Sequence, residues 1–169
     1  DHRDLHLSIR RQRQMCIRDR GYVHKAYPPI YSKLAQKSGF KSSLVIRGIE
    51  GSVVPSLRQK GLMYSYYQNL EKKKVEIEPK EIGIQSDLRA IAIPKKLEGV
   101  NNRDILAKHV ANLGMNALAG ERGMFYDGLL YSASVILWHL EIEKSIIEAS
   151  EKVRAVLDSA VAINRVKEN

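Results

Sequence analysis

The residues best suited to chemistry in this 169-residue sequence follow one short apolar run. Ser43–Arg47 (SLVIR) leads into Gly48, Ile49, Glu50 and Gly51. A guanidinium at the end of a strand presents a planar fork that can bind a phosphate through two hydrogen bonds. Two glycines three residues apart permit positive φ, or a close approach of the backbone to a ligand. Glu50 offers one carboxylate to a divalent cation. Each feature also has a structural counterpart, because Arg47 can pair with Glu50 and fix the loop, and a lone carboxylate in a turn is usually solvated. A second pattern surrounds the first. Lys25, Lys33, Lys37, Lys41, Arg47, Arg58 and Lys60 are interleaved with Tyr22, Tyr27 and Tyr31. Cations of this kind neutralise phosphates and aromatic rings stack on bases. The plainer alternative is that Lys33 and Lys37, four apart, mark the solvated face of a helix. Lys72–Lys74 reads as a solvated turn. Asp127 reads as a capping or pairing residue, and Trp138 and His139 as core and its edge.

Composition bounds the class. The chain is 44% hydrophobic and 28% charged, as in an ordinary globular domain. No apolar run approaches the roughly 20 residues that span a bilayer. The N-terminus has basic residues but no apolar core of a secretory signal. One cysteine forms no intramolecular disulfide, and no Cys/His cluster has zinc spacing. These features point to a cytoplasmic protein, or to an organellar stroma if the source is eukaryotic, with no membrane partner.

The net charge is +9, but it is not evenly spread. Residues 1–20 hold six arginines and three aspartates, a net of +3, which leaves +6 on the other 149 residues. Met15–Arg20 (MCIRDR) can be written in codons as ATG TGT ATA AGA GAC AG-purine, the transposon end used in sequencing libraries. Residues 1–20 are therefore read as a sequencing-adapter artefact or a disordered basic leader, and Cys16 carries no weight. The rival is a basic nucleic-acid-binding arm.

From Gly21 onward the elements that must position these residues are legible. Gly21–Tyr27 reads as a loop. Pro28 and Pro29 suit the first turn of a helix in which Ile30, Leu34 and Ala35 recur at helical spacing and which stops at Gly39. Ser43–Arg47 reads as a buried strand. Leu62–Leu70 reads as a strand, Val75–Glu78 as a half-exposed strand, Pro79–Ile84 as one helical turn closed by Gly83, and Leu88–Ile93 as a further strand. Asn101 or Asn102 caps a helix to about Ala119, with Asp104 in its first turn. Gly120–Gly123 breaks it. Phe125–Leu140 should be the most buried helix. Glu143–Val166 reads as one helix with Ile146, Ile147, Val153, Val156, Leu157 and Ile163 as its apolar stripe.

Four segments in order resemble the type-three glycosyltransferase family, which includes anthranilate phosphoribosyltransferase. They are Gly21–His24 with the helix from Pro28; Leu44–Gly51 (LVIRGIEG), similar to a strand followed by H-G-x-D-G; Ala117–Leu137, similar to a glycine-rich break before D-x-x-x-x-N-A-A; and Val156–Ile163 (VLDSAVAI), similar to I-D-S-G-x-A. Arg47, Gly48, Glu50 and Gly51 fit the R-G-x-E-G of the anthranilate-phosphoribosyltransferase-like paralogues more closely than H-G-x-D-G.

The resemblance implies an α/β fold: an incomplete mixed sheet with flanking helices, the C-terminal portion of a nucleoside phosphorylase/phosphoribosyltransferase-type catalytic domain, over residues 21–169. It implies a parent that transfers the pentosyl group of phosphoribosyl pyrophosphate to a small acceptor, with Mg²⁺, as a homodimer. It places His24 toward the active cleft, although a hinge or packing role is the alternative. It also implies that the phosphate loop lies outside this chain, which by itself is expected to be inactive. The family's Asp-Glu metal pair falls at Val53 and Val54, whose side chains offer no oxygen. The alternative is a non-catalytic, nucleic-acid-binding paralogue that uses Lys25, Lys33, Lys37, Arg58 and Lys60.

Overall fold

The computed structural model describes residues 17–67, 73–91, 97, 99 and 102–168. They divide into two compact units, one reaching Ser56 and including Lys60–Ile77, the other comprising Leu57–Gln59 and the chain from Glu78.

The first unit is a mixed four-stranded sheet in the order β1-β2-β3-β4. β1 (Ile17–Gly21) runs parallel to β2 (Ser42–Ile46), so it takes in the last residues of the basic leader. The crossover between them is α1 (Tyr27–Lys37). β3 (Gly61–Tyr67) and β4 (Lys73–Ile77) follow as antiparallel neighbours. Lys73 and Lys74, read from the sequence as part of a turn, instead open β4 and pair with Ser65 and Tyr64. Register places Val45 opposite Tyr64 and Ser43 opposite Tyr66, so these four share a face. Tyr22, Val45 and Tyr64 form the core there, with Tyr31, Leu62 and Tyr66 packed around them.

α1 separates residues that share its helical spacing. Its buried residues are Pro28, Ser32 and Ala35, whereas Ile30 and Leu34 are 49% and 55% exposed. The buried trio recurs at i, i+4 and i+7 and is small. It lets the helix lie close on β2, whose five residues are all buried, and turns the larger aliphatic side chains outward.

The second unit is helical. A 3₁₀ turn at Pro79–Ile82 closes on Gly83 in the left-handed region, as its sequence predicts. The strand expected at Leu88–Ile93 does not form over its described part, Leu88–Ile91; residues 92 and 93 lie outside the described set. The Ser86 hydroxyl bonds both the N–H and the carbonyl of Leu88, an alternative to a ladder. The neighbouring carbonyls of Asp87 and Arg89 accept from Arg58 and from the Leu57 N–H.

α2 (Arg103–Leu118) starts at Asn102, whose side chain accepts from the N–H groups of Asp104 and Ile105. α3 (Met124–His139) follows the glycine break and buries seven residues, more than any other helix described. The aromatic positions at its end differ from expectation: His139 is fully buried and Trp138 only partly.

The single helix expected over Glu143–Val166 is two. α4 (Ile146–Asp158) begins at Ser145, whose hydroxyl accepts from the Glu148 N–H. α5 (Val161–Lys167) is separated from it by Ala160, which has φ 56°. Within α4 itself the stripe is narrower than expected: Ile146, Val153 and Leu157 are buried while Ile147 and Val156 are exposed, and Ile163 of α5 is buried beyond the turn. Ala160 stands where the resembling motif I-D-S-G-x-A has glycine, the residue that adopts this backbone without strain.

Candidate functional site

At the C-terminal ends of the parallel strands β1 and β2, two loops meet. Tyr22 extends the pairing by donating its N–H to the Ile46 carbonyl at 3.0 Å. The second loop folds back on itself. Ser52 N–H donates to the Ile49 carbonyl and Ile49 N–H to the Val54 carbonyl, at 2.9 and 3.0 Å. The Ser52 hydroxyl accepts from the Val54 N–H. A side chain at Gly21 would collide with the backbone of Gly51 and Ser52, and one at Gly48 with the carbonyl of Ser52. Both glycines are therefore required for the loop contact. Gly51 has φ 79° and packs near the Val23 side chain. Glu50 holds φ 52°, a left-handed conformation that a non-glycine residue occupies at a cost of order 1 kcal/mol.

Around this backbone the expected side chains fall as follows. Arg47 is exposed; its N–H donates to the Leu62 carbonyl, which leaves the guanidinium at the strand end. Among the described residues it makes no ion pair with Glu50. Its charge acts on Tyr22 instead, whose phenol is pushed up chiefly by burial and by Tyr64, with Arg47 opposing. The two rings meet edge-on at 5.8 Å between centroids.

His24 is exposed and sits edge-on to Tyr27 at 5.4 Å, and Tyr27 lies 5.6 Å from Tyr31. The Arg20 guanidinium lies 5.6 Å from the Tyr31 centroid. Lys25, Lys33, Lys37 and Lys41 are exposed in the same unit. Lys60 is engaged: with Lys74 it holds Glu76, at 3.0 and 2.6 Å, and the two lysines draw that carboxyl down to about 2. Arg58 belongs to the other unit, donating to the Asp87 carbonyl at 3.1 Å. The basic set is thus split, and only its 24–41 portion lies together on one element and its flanks.

The structure adds a network that the spacing did not reveal. Asp158, at the end of α4, accepts from Tyr126 Oη at 2.7 Å and from Arg122 at 2.6 Å, and the Arg122 guanidinium stacks over the Tyr126 ring at 4.3 Å. Asp127, beside it, is half-buried. Burial raises its carboxyl, and Arg154 and Arg122 oppose that shift. The only trace of the network in the sequence is that the glycine-rich break precedes Tyr126 and the I-D-S-like segment contains Asp158.

The sequence matches no protein-family model, and no curated protein is similar to it in sequence. Solved structures do match. Anthranilate phosphoribosyltransferase of Saccharomyces cerevisiae, as a variant with Mg bound, superposes with a TM-score of 0.64 at 20% identity, over 92% of this chain and 42% of that one. The same enzyme in complex with PRPP and Mg gives 0.60 at 21% identity, over 89% and 39%. The Thermus thermophilus enzyme gives 0.56 at 18% identity, over 86% and 40%. The fold is that of part of anthranilate phosphoribosyltransferase. This chain spans about two fifths of the length of those enzymes.

Two of the anthranilate phosphoribosyltransferase structures carry Mg. The residues present here do not fit that ion. Glu50 is the one carboxylate of the loop, Val53 and Val54 follow it with half-exposed apolar side chains, and among the described residues no three His, Cys, Asp or Glu side chains converge. A magnesium ion needs several oxygen ligands, and valines supply none. No helix of the described residues is long and apolar enough to cross a membrane.

Proposed function

We propose that this chain is the C-terminal portion of a phosphoribosyltransferase-like glycosyltransferase, and that the Gly21–His24 and Arg47–Gly51 loops face the phosphorylated ribose. In the parent reaction an acceptor nitrogen forms a bond to the anomeric carbon of phosphoribosyl pyrophosphate. The carbon–oxygen bond to pyrophosphate breaks, the leaving group departs with the electron pair, and the nitrogen gives up one proton to solvent. The observation that carries this reading is the glycine-enforced contact of two backbone loops at the ends of parallel strands, with the exposed Arg47 beside it. Crevices outside the carboxyl ends of such strands are where α/β folds bind ligands. Arg47 would hold a phosphate oxygen pair, and His24 would border the same crevice. No step is assigned to a metal.

The test is calorimetric titration of the chain with phosphoribosyl pyrophosphate, with and without Mg²⁺, alongside a fluorescence assay for loss of anthranilate. Binding that weakens about tenfold in Arg47→Ala, without turnover, is the expected result. Absence of binding at millimolar ligand would remove the reading.

A nucleic-acid-binding paralogue is the second reading. The His24–Tyr27–Tyr31 ring row, flanked by Lys25, Lys33 and Lys37, favours it. Binding of an oligothymidylate that falls steeply with salt, and that Tyr27→Ala weakens, would select it over the first.

A further inference from the structure

The outer side of α1 is an apolar stripe that the sheet leaves uncovered. Tyr27, Ile30 and Leu34 recur at i, i+3 and i+7, with Val23 just before the helix, and they are 39%, 49%, 55% and 62% exposed. Pro28, Ser32 and Ala35 occupy the face that packs on β2, so the stripe flanks the buried face. Lys33 and Lys37 border it on the other side, and Lys25 lies at its start. From Arg20 to Ile49 the chain holds six Lys and Arg and no Asp or Glu. Among the described residues, Lys25, Lys33 and Lys37 meet no carboxylate.

We propose that α1 docks an acidic amphipathic helix supplied by another polypeptide, with its apolar positions on Val23, Tyr27, Ile30 and Leu34 and its Asp or Glu flank against Lys25, Lys33 and Lys37. Helix-on-helix docking uses anchors at i, i+3, i+4 and i+7, the spacing displayed here. The charge argues for the occupant's sign. A lysine-bordered stripe without a single acid rejects a basic helix, and it also disfavours the same face of a second copy, which would set Lys33 and Lys37 against their own kind. It also discriminates against a nucleic acid as the main occupant. Phosphates satisfy the lysines and the Tyr27 ring offers one stacking face, but Val23, Ile30 and Leu34, the more exposed part of the stripe, have no π-face on which a base stacks.

The experiment titrates the full chain into a fluorescein-labelled peptide of about three heptads, leucine on one face and glutamate on the flanks, read by anisotropy. A peptide of the same composition in scrambled order and one with lysine in place of glutamate serve as comparisons. The amphipathic acidic peptide is expected to bind at least about tenfold more tightly than either. Ile30→Glu combined with Leu34→Glu should lose about tenfold or more. Both side chains are half-exposed, so the core is untouched, and circular dichroism verifies the fold. Lys33→Glu with Lys37→Glu provides an independent check, because it should weaken the acidic peptide and favour the lysine peptide. Equal binding of the scrambled peptide overturns the proposal, as does indifference to the Ile30/Leu34 pair. Two further results also overturn it: displacement of the peptide by an oligothymidylate that binds more tightly, and self-association in sedimentation that the Ile30/Leu34 pair abolishes.

Discussion

Tyr126 donates its hydroxyl to Asp158 at 2.7 Å, linking the first turn of α3 to the last residue of α4. The phenol is fully buried, and both burial and the carboxylate keep it protonated, so it acts as a permanent donor. Arg122 completes the group from the loop before α3. Tyr126→Phe removes a hydrogen bond to a charged acceptor and should cost about 1.5 kcal/mol. Asp158→Ala should cost about 2 kcal/mol, since it also orphans a buried hydroxyl. Urea denaturation of the two variants and their combination should give a coupling near 1 kcal/mol. Simple additivity would mean the contact stabilises nothing.

Ala160→Gly is expected to stabilise the protein. Alanine at φ 56° pays about 1–2 kcal/mol for the left-handed region, and the extra freedom of unfolded glycine offsets part of the relief. A net gain of about 0.5–1 kcal/mol should appear as a higher urea midpoint. Ala160→Val, β-branched at the same backbone, should lower it.

His139 should make stability fall in mild acid. Its imidazole is buried on α3, which lowers it to about 4 from the usual 6.5, with Glu141 opposing. The folded state therefore keeps the ring neutral while the unfolded chain takes up a proton. The associated stability is complete above about pH 6.5 and is lost as pH falls toward 4, up to about 3 kcal/mol. Thermal melts between those limits should show the slope in the parent and a flatter profile in His139→Leu. The Glu76 carboxyl, drawn down by Lys74 and Lys60, adds its own loss at the acid end of this window, as pH falls through the ordinary carboxylate range, so the difference between parent and His139→Leu isolates the histidine part.

Gly48→Ala should disrupt the candidate crevice directly. The new Cβ meets the Ser52 carbonyl, a backbone group that cannot swing aside. A loss of about 2 kcal/mol or more is expected, with any phosphate affinity lost alongside it. Gly39→Ala serves as a comparison: it has open space around the added carbon but φ 84°, so it should show backbone strain alone and leave ligand binding intact.

Much of the architecture is written in local signals. Ser43–Arg47 is a β-branched run bounded by polar residues, and β2 forms there. Asn102 and Ser145 supply side-chain acceptors ahead of helices, and the helices begin at those points. The α/β class and the likeness to anthranilate phosphoribosyltransferase were legible in four short segments, and the solved structures agree at the level of fold. Where periodicity alone decided, it erred. It joined α4 and α5 across Ala160, because an alanine gives no sign of positive φ. Nor did the helical spacing of Ile30, Leu34 and Ala35 tell which of them the sheet covers.

The sequence by itself therefore determined the α/β class, most of the elements between β2 and α4 and the reactive residue types, because caps, turns and hydrophobic runs act over a few neighbouring residues. Only the tertiary structure decided which faces are covered. Small residues at 28, 32 and 35 seat α1 on β2 and leave its larger aliphatics outside. The meeting of Gly21 with Gly51, and of Tyr126 with Asp158, likewise depends on how strands and helices separated in sequence come together. That is set by the volume and shape of the packed side chains, to which no local pattern is sensitive.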